Sequence, residues 1–302
     1  MWFMSALVAV FSWGTADLFY KLGNNEKDKY SAQKTVVIVG LVMGLHAFLY
    51  YYLYLDVGFE WKNMLIYLPV SSMYILSMAI GYVGLRYIEL SVSSPISNSS
   101  GAVSALLMFL ILGAKMVWIQ FIAVAVISVA IFMLSVYEKQ EADYELKISG
   151  DVVDKKYRKS ALAIIFPILY CVIDGLGTFL DGYYLDYAEI LPENQANMSY
   201  EFTFLIVGLL MWGYLRAIKG EKMDVFHEKY KGFAALFETL GQFFYIGAIA
   251  SNSIVVAPMI ASYSIVSVLW SRIFLKEKLT KKQYVMIFAI IISVVILGFF
   301  DE

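Results

Sequence analysis

Ten long apolar runs, separated by short polar stretches, set the pattern of this chain. Their approximate limits are 2–21, 35–55, 64–87, 91–113, 116–137, 160–182, 200–218, 233–250, 254–275 and 283–300. Runs of this length predict membrane-spanning helices, because lipid offers no partner to a free backbone group. The eighth run is short and is expected to need tilt or local thinning of the bilayer. The first run lacks a basic segment before it and a small-residue cleavage site after it. It reads as a span rather than a signal peptide. The longest polar stretch, about 138–159, opens with Glu138, Lys139, Glu141, Asp143, Glu145 and Lys147. It is expected to be a charged loop between a first five-helix repeat, 1–137, and a second, 160–302.

The two sets of five runs are related. At a spacing of 163 residues, Tyr82 meets Tyr245, Gly84 meets Gly247, Pro95 meets Pro258 and Ser99 meets Ser262. Lys115 meets Lys278 and Gln120 meets Gln283 in the same register. In the first run of each half the spacing is 157, and it pairs Trp13 with Tyr170 and Asp17 with Asp174. An odd number of helices per repeat forces opposite orientations. The expected fold is therefore all-α and integral to the membrane, with ten transmembrane helices in two inverted five-helix repeats, a plan that places a site near the midplane.

Composition agrees: 61% of the 302 residues are hydrophobic and 16% charged, and the mean hydropathy is +0.70. A soluble domain is nearer half apolar and a quarter charged. The net charge of -2 and the lack of a basic patch give no reason to expect nucleic acid as a partner. Of the 23 Lys and Arg, only Lys62 and Lys115 fall on the side that carries the termini. The positive-inside rule then places both termini outside a multi-pass protein of the cell membrane.

Trp13 and Asp17, like Tyr170 and Asp174, stand four residues apart and so share a helix face. A carboxylate within a span is costly and marks a functional site by default. Asp17 has an alternative partner in Lys21, four residues on. Asp181 continues the Asp174 face but lies near the run's end, where a solvated end or a vestibule is expected. Glu238, Gln242 and Tyr245 form a stripe in the eighth run. Glu238 reads equally as a lining acid or as a surface acid near Lys229 and Lys231. Tyr74, Asn98 and Tyr263 add polar and aromatic groups beside small residues, and a serine among them is as readily a packing residue. Pro95 and Pro258 each free a carbonyl one turn back, a break able to line a cavity. His46, on the run with Gly40 and Gly44, is a candidate for titration, although a lone histidine is more often a packed residue. The glycine pair permits close contact within a bundle or between protomers.

These residues are similar to the EamA-like, ten-helix branch of the drug/metabolite transporter superfamily. The carrying features are Trp13-Gly14, Tyr82-Val83-Gly84-Leu85-Arg86-Tyr87-Ile88, Tyr245-Ile246-Gly247-Ala248-Ile249, Pro95, Pro258 and Leu275-Lys276-Glu277-Lys278-Leu279-Thr280. Lys276 replaces the family's usual glycine, and Ala114 its usual glutamate. The resemblance implies small-molecule transport, and also both termini inside, against the charge split.

The expected function is secondary transport of a small polar metabolite, cationic or zwitterionic, by alternating access. Aromatic faces with nearby acids and almost no buried base suit an ammonium group. The expected binding residues are Trp13, Asp17, Tyr74, Asn98, Tyr170, Asp174, Glu238, Gln242 and Tyr263, with Asp17, Asp174 and Glu238 as candidates to couple a proton or Na+. The alternative is a proton-coupled exporter of neutral amino acids or related metabolites. An intramembrane aspartyl protease is a poor fit, because no Gly-x-Gly-Asp signature occurs. Two histidines without ligand spacing, one cysteine and no phosphate-binding loop leave no metal, catalytic residue or cofactor to expect. Partners are the solute and the lipid bilayer; the oligomeric state is not readable.

Overall fold

The computed structural model describes residues 2–24, 28–85, 87, 90–149, 165–224, 227–276 and 280–299. Arg86, Ile88, residues 150–159 and residues 277–279, used in the sequence reading, lie outside them. Every regular element among the described residues is a helix. The first half contains α1 (Trp2–Gly23), α2 (Ser31–His46), α3 (Trp61–Gly84), α4 (Leu90–Asn98), α5 (Ser100–Leu107) and α6 (Trp118–Ser149). The second contains α7 (Ile165–Gly182), α8 (Glu193–Gly213), α9 (Lys229–Ile249), α10 (Ser253–Ala261), α11 (Tyr263–Phe274) and α12 (Lys281–Phe299). α2, α5, α7 and α8 each continue into wider, π-type turns.

Among the described residues, seven helical segments are long and apolar enough to cross a membrane. They are Trp2–Gly23, Ser31–Tyr54, Trp61–Gly84, Ile165–Tyr187, Glu193–Ile218, Lys229–Ile249 and Ser253–Phe274. Shorter apolar helices cover Ile96–Leu112 and Trp118–Met133.

Two expectations change. The first part of the charged stretch, 138–149, is not a loop but the last three turns of α6. It is rich in Glu, Lys, Gln and Ala and meets no glycine before Gly150, so helix propensity carries the span onward. The eighth run is not short either, because α9 begins at Lys229. Lys231 is only 1% exposed and donates to Glu228, which brings a charged first turn into the helix.

The two halves interlock pairwise. α1 packs on α9 and α7 on α3; α1 meets α11 and α7 meets α5; α2 pairs with α8, α6 with α12, α5 with α10 and α4 with α11. Exchanging each helix for its counterpart leaves this pairing unchanged. Local features repeat at matched positions too. The fourth and ninth apolar runs are both broken, at Ser99 and at Ser262. The break lies one turn after each proline position rather than before it. At Ser262 the hydroxyl bonds back to the Met259 carbonyl at 2.6 Å, competing with the helix ladder. Gly113 and Lys276 close the two runs in the left-handed region, with φ of 63° and 60°. Lys276 thus holds the conformation that the expected glycine would adopt. Gln120 accepts the Val117 N–H at 3.1 Å and Gln283 the Thr280 N–H at 2.5 Å, capping α6 and α12 alike. Gly40 and Gly44 are spent within the bundle, facing Phe204, Gly208 and Leu205 of α8.

Candidate functional site

The helices that cross-pair between the halves enclose a cavity of about 90 Å³. At one water per roughly 10–15 Å³ by this measure, it has room for about six to nine waters. Trp13, Asp17 and Tyr20 enter from α1, Tyr74 and Tyr82 from α3, and Ser94 from α4. Ser100 enters from α5, Tyr170, Asp174 and Thr178 from α7, and Tyr200 from α8. Glu238, Gln242 and Tyr245 come from α9 and Tyr263 from α11. The i, i+4 spacing in α1, α7 and α9 keeps each helix's contribution on one face.

Eight of the nine residues expected from the sequence line this cavity; Asn98 does not. It stands one layer behind, fully buried, and its Nδ2 donates to Ser94 Oγ at 3.1 Å. Asp17 Oδ2 accepts from Ser94 Oγ and Ser267 Oγ, each at 2.7 Å. Lys21 donates to the Leu85 carbonyl at 3.1 Å. Asp174 is treated in the same way: Ser100 Oγ donates at 2.8 Å and Ser77 Oγ at 3.3 Å. Glu238 is 9% exposed and accepts from Tyr20 Oη at 3.4 Å, so it faces the interior rather than the surface. Tyr82 Oη donates in turn to Tyr20 Oη at 3.0 Å.

The rings are held as firmly as the acids. Trp13 donates its indole N–H to the Glu238 carbonyl at 3.2 Å. Its ring lies 5.0 Å from Tyr245 and 5.9 Å from Tyr263, centroid to centroid. Gly241 and Gly81 make this possible: a Cβ at the first would collide with the Trp13 indole, and at the second would come within 2.9 Å of the Tyr170 ring. Among the described lining residues there are three carboxylates and no Lys, Arg or His.

A polar cluster adjoins the cavity through Tyr74, Thr178 and Tyr245, which also line it. Asp181 is 0% exposed and accepts from Tyr67 Oη and, at 3.3 Å, from Tyr74 Oη. Tyr74 Oη also lies 2.8 Å from Tyr245 Oη and 3.1 Å from Thr178 Oγ1. Asp181 is thus a core residue and not a solvated end, because three tyrosines from the facing helices reach it or its partner. The sequence reading did not single out Tyr20, Tyr200, Ser100 or Thr178. Tyr20 was recoverable, being three residues past Asp17 on the same helix face, and Thr178 was recoverable in the same way from Asp174.

Comparison with known proteins decides the family. The EamA-like transporter family model matches residues 1–136 and 161–299, nearly the whole chain. The chain belongs to the EamA-like transporter family. As a member it is a multi-pass membrane protein of a family of transporters, not enzymes. No curated protein matches it. A solved structure titled only "Crystal structure of protein" is similar over 98% of this EamA-like chain and 96% of its own. The TM-score is 0.66 at 9% identity, a likeness of fold alone.

Proposed function

We propose that this EamA-like protein is a secondary transporter that binds a small cationic or zwitterionic solute in the central cavity. The observation that carries the reading is the lining itself. Asp17, Asp174 and Glu238 stand among Trp13, Tyr74, Tyr170, Tyr245 and Tyr263 with no basic side chain to neutralise them. Ring faces and carboxylates both attract an ammonium group, and the volume fits a headgroup-sized molecule rather than a drug. Gln242 orients the solute's polar end, and Asn98 acts through Ser94.

The chain crosses the membrane ten times in this reading, with α4–α5 and α10–α11 each forming one broken span. The two five-helix repeats, 1–137 and 160–302, are inverted. The symmetric helix pairing and the matched breaks at Ser99 and Ser262 support it. Broken helices at corresponding positions are the usual pointer to a midplane site. The charge split puts both termini outside. Alternating access rocks the halves about the cavity.

The test is a ligand-induced thermal shift on purified protein with tetramethylammonium, choline, primary amines and neutral amino acids. Ligand bound to the native state raises the Tm as its concentration rises. A shift with an ammonium compound that is lost in Asp17→Asn and Asp174→Asn supports the reading. A shift with a neutral amino acid that survives both substitutions replaces it with amino-acid export.

A further inference from the structure

Like Asp181, Glu201 is an acid buried outside the cavity, and of the buried acids among the described residues it alone bonds a titratable base. Glu201 in α8 is 0% exposed. His46 Nδ1, at the end of α2, lies 2.9 and 2.8 Å from its two carboxylate oxygens. The His46 side chain is 27% exposed, so the ring is the member of the pair that reaches the molecular surface. The pair joins the two halves across the α2–α8 contact. It also joins the cavity: Glu201 Oε1 accepts from Asn197 Nδ2 at 3.5 Å, and Asn197 Oδ1 accepts from Gln242 Nε2 at 3.2 Å. Gln242 lines the solute cavity.

We propose that the His46–Glu201 pair is the proton site of this transporter, read by the cavity through Asn197 and Gln242. The inference rests on the cation reading of the cavity and adds the coupling ion and its place. An ionisable pair inside a bundle, able to gain or lose a proton, is what coupling needs. The groups that face it are few. Tyr50 and Tyr51 come from the turn after α2, and Tyr50 stacks on the ring at 5.4 Å. Asn197 comes from α8, with its Nδ2 donating to Tyr51 Oη at 2.8 Å. α9 supplies Phe243 and Gln242, with Glu238 a turn further on. α3 packs along α8, with Asn63 Nδ2 donating to Gln195 at 3.2 Å and the Tyr74 ring meeting that of Tyr200. Among the described residues, no Lys or Arg pairs with Glu201. Each proton added raises the charge of the pair by one, whichever atom carries it. That charge opposes a cation held beyond Gln242 and alters the attraction between the halves. Proton and cation therefore bind in competition, and the transporter exchanges one for the other.

The chain has only two histidines, and His227 is 86% exposed on the surface. His227→Gln protein with 15N-labelled histidine therefore gives a single ring signal, that of His46, without touching the pair. That signal reports directly whether the ring takes up and releases a proton as the pH is varied. Saturating tetramethylammonium is expected to shift that transition, since linkage is reciprocal. The affinity for tetramethylammonium should tighten with rising pH by up to about tenfold per pH unit for one linked proton. His46→Gln should remove that one proton from the dependence. A ring signal that does not respond to pH overturns the proposal. So does a transition unmoved by bound tetramethylammonium, or an unchanged pH dependence in His46→Gln. If tetramethylammonium gives no thermal shift at any pH, the cation reading of the cavity falls. The proton site is then decided by whether His46 titrates.

Discussion

Asp17 and Asp174 on one side, half-buried, and Glu201 on the other, fully buried, are all carboxylates inside the same bundle, but they are satisfied differently. The two aspartates accept from hydroxyls: Ser94 and Ser267 for one, Ser77, Ser100 and Tyr170 for the other. Glu201 is held by the His46 imidazole. Hydroxyls orient a carboxylate without cancelling its charge, and the open side of each aspartate faces a cavity. An imidazole fills the place a solute cation would take, and cancels the charge whenever it carries a second proton. The difference separates a site kept incomplete for a ligand from a site completed by the protein and able to hold a proton.

The largest effect expected from this contrast is on stability. His46→Leu removes one member of a buried ionisable pair and should destabilise the protein by about 3–5 kcal/mol. His46→Leu with Glu201→Leu should recover most of that loss, because no unpaired group is left buried. Denaturant unfolding in detergent reads both. A His46→Leu cost no larger than that of Asp17→Asn would erase the distinction. The next effect is on binding. A unit charge near 4 Å from an ammonium group is worth up to about 4 kcal/mol at a protein surface dielectric. Asp174→Asn should thus weaken tetramethylammonium binding by roughly 30-fold or more with folding intact, as titration calorimetry would report. Glu201→Gln, which leaves the cavity acids in place, should weaken it far less at a fixed pH.

The parts of this arrangement differ in how far the sequence discloses them. The aspartates and their rings were legible, because an i, i+4 pair inside an apolar run fixes both the burial and the face. The repeat register was legible from Tyr82/Tyr245 and Gln120/Gln283, and the structure gives those glutamines the same capping role. The His46–Glu201 pair was not. Its members are 155 residues apart. Glu201 sits at the edge of its apolar run, where an acid ordinarily meets water. α8 in fact begins at Glu193, which carries Glu201 two turns into the helix. Asp181 is hidden for the same reason: the apolar run ends beside it, but π-type turns extend the segment to Tyr187. Local periodicity reports a face; it does not report how deep in the bundle that face lies.

Single hydroxyls come next in size. Ser100→Ala and Ser94→Ala each remove one donor to a cavity acid and should cost about 1 kcal/mol in binding, roughly fivefold. Equal losses would mean that the two acids share the solute; a loss confined to one would assign the ammonium group to that acid.

The smallest effect belongs to an acid that also has a base but lies at the water's edge. Lys34 Nζ bonds Asp28 at 2.8 Å and Glu221 at 2.9 Å, tying the loop before α2 to the segment after α8. Partial burial pushes the Asp28 carboxyl up, but the bond from Lys34 and the Tyr30 N–H outweigh it and hold the group below its ordinary 3.8. A carboxylate with a depressed folded value stabilises the fold above its unfolded value. That contribution disappears as pH falls through the folded value. Asp28→Asn should therefore lower the Tm slightly at pH 7, by the equivalent of no more than about 1 kcal/mol for a solvent-screened pair. The difference from wild type should close below about pH 4. High salt should shrink it as well, since ions reach this pair. The His46→Leu cost should survive the same salt, because Glu201 is out of reach of water. Equal salt sensitivity at the two pairs would show that burial is not what sets them apart.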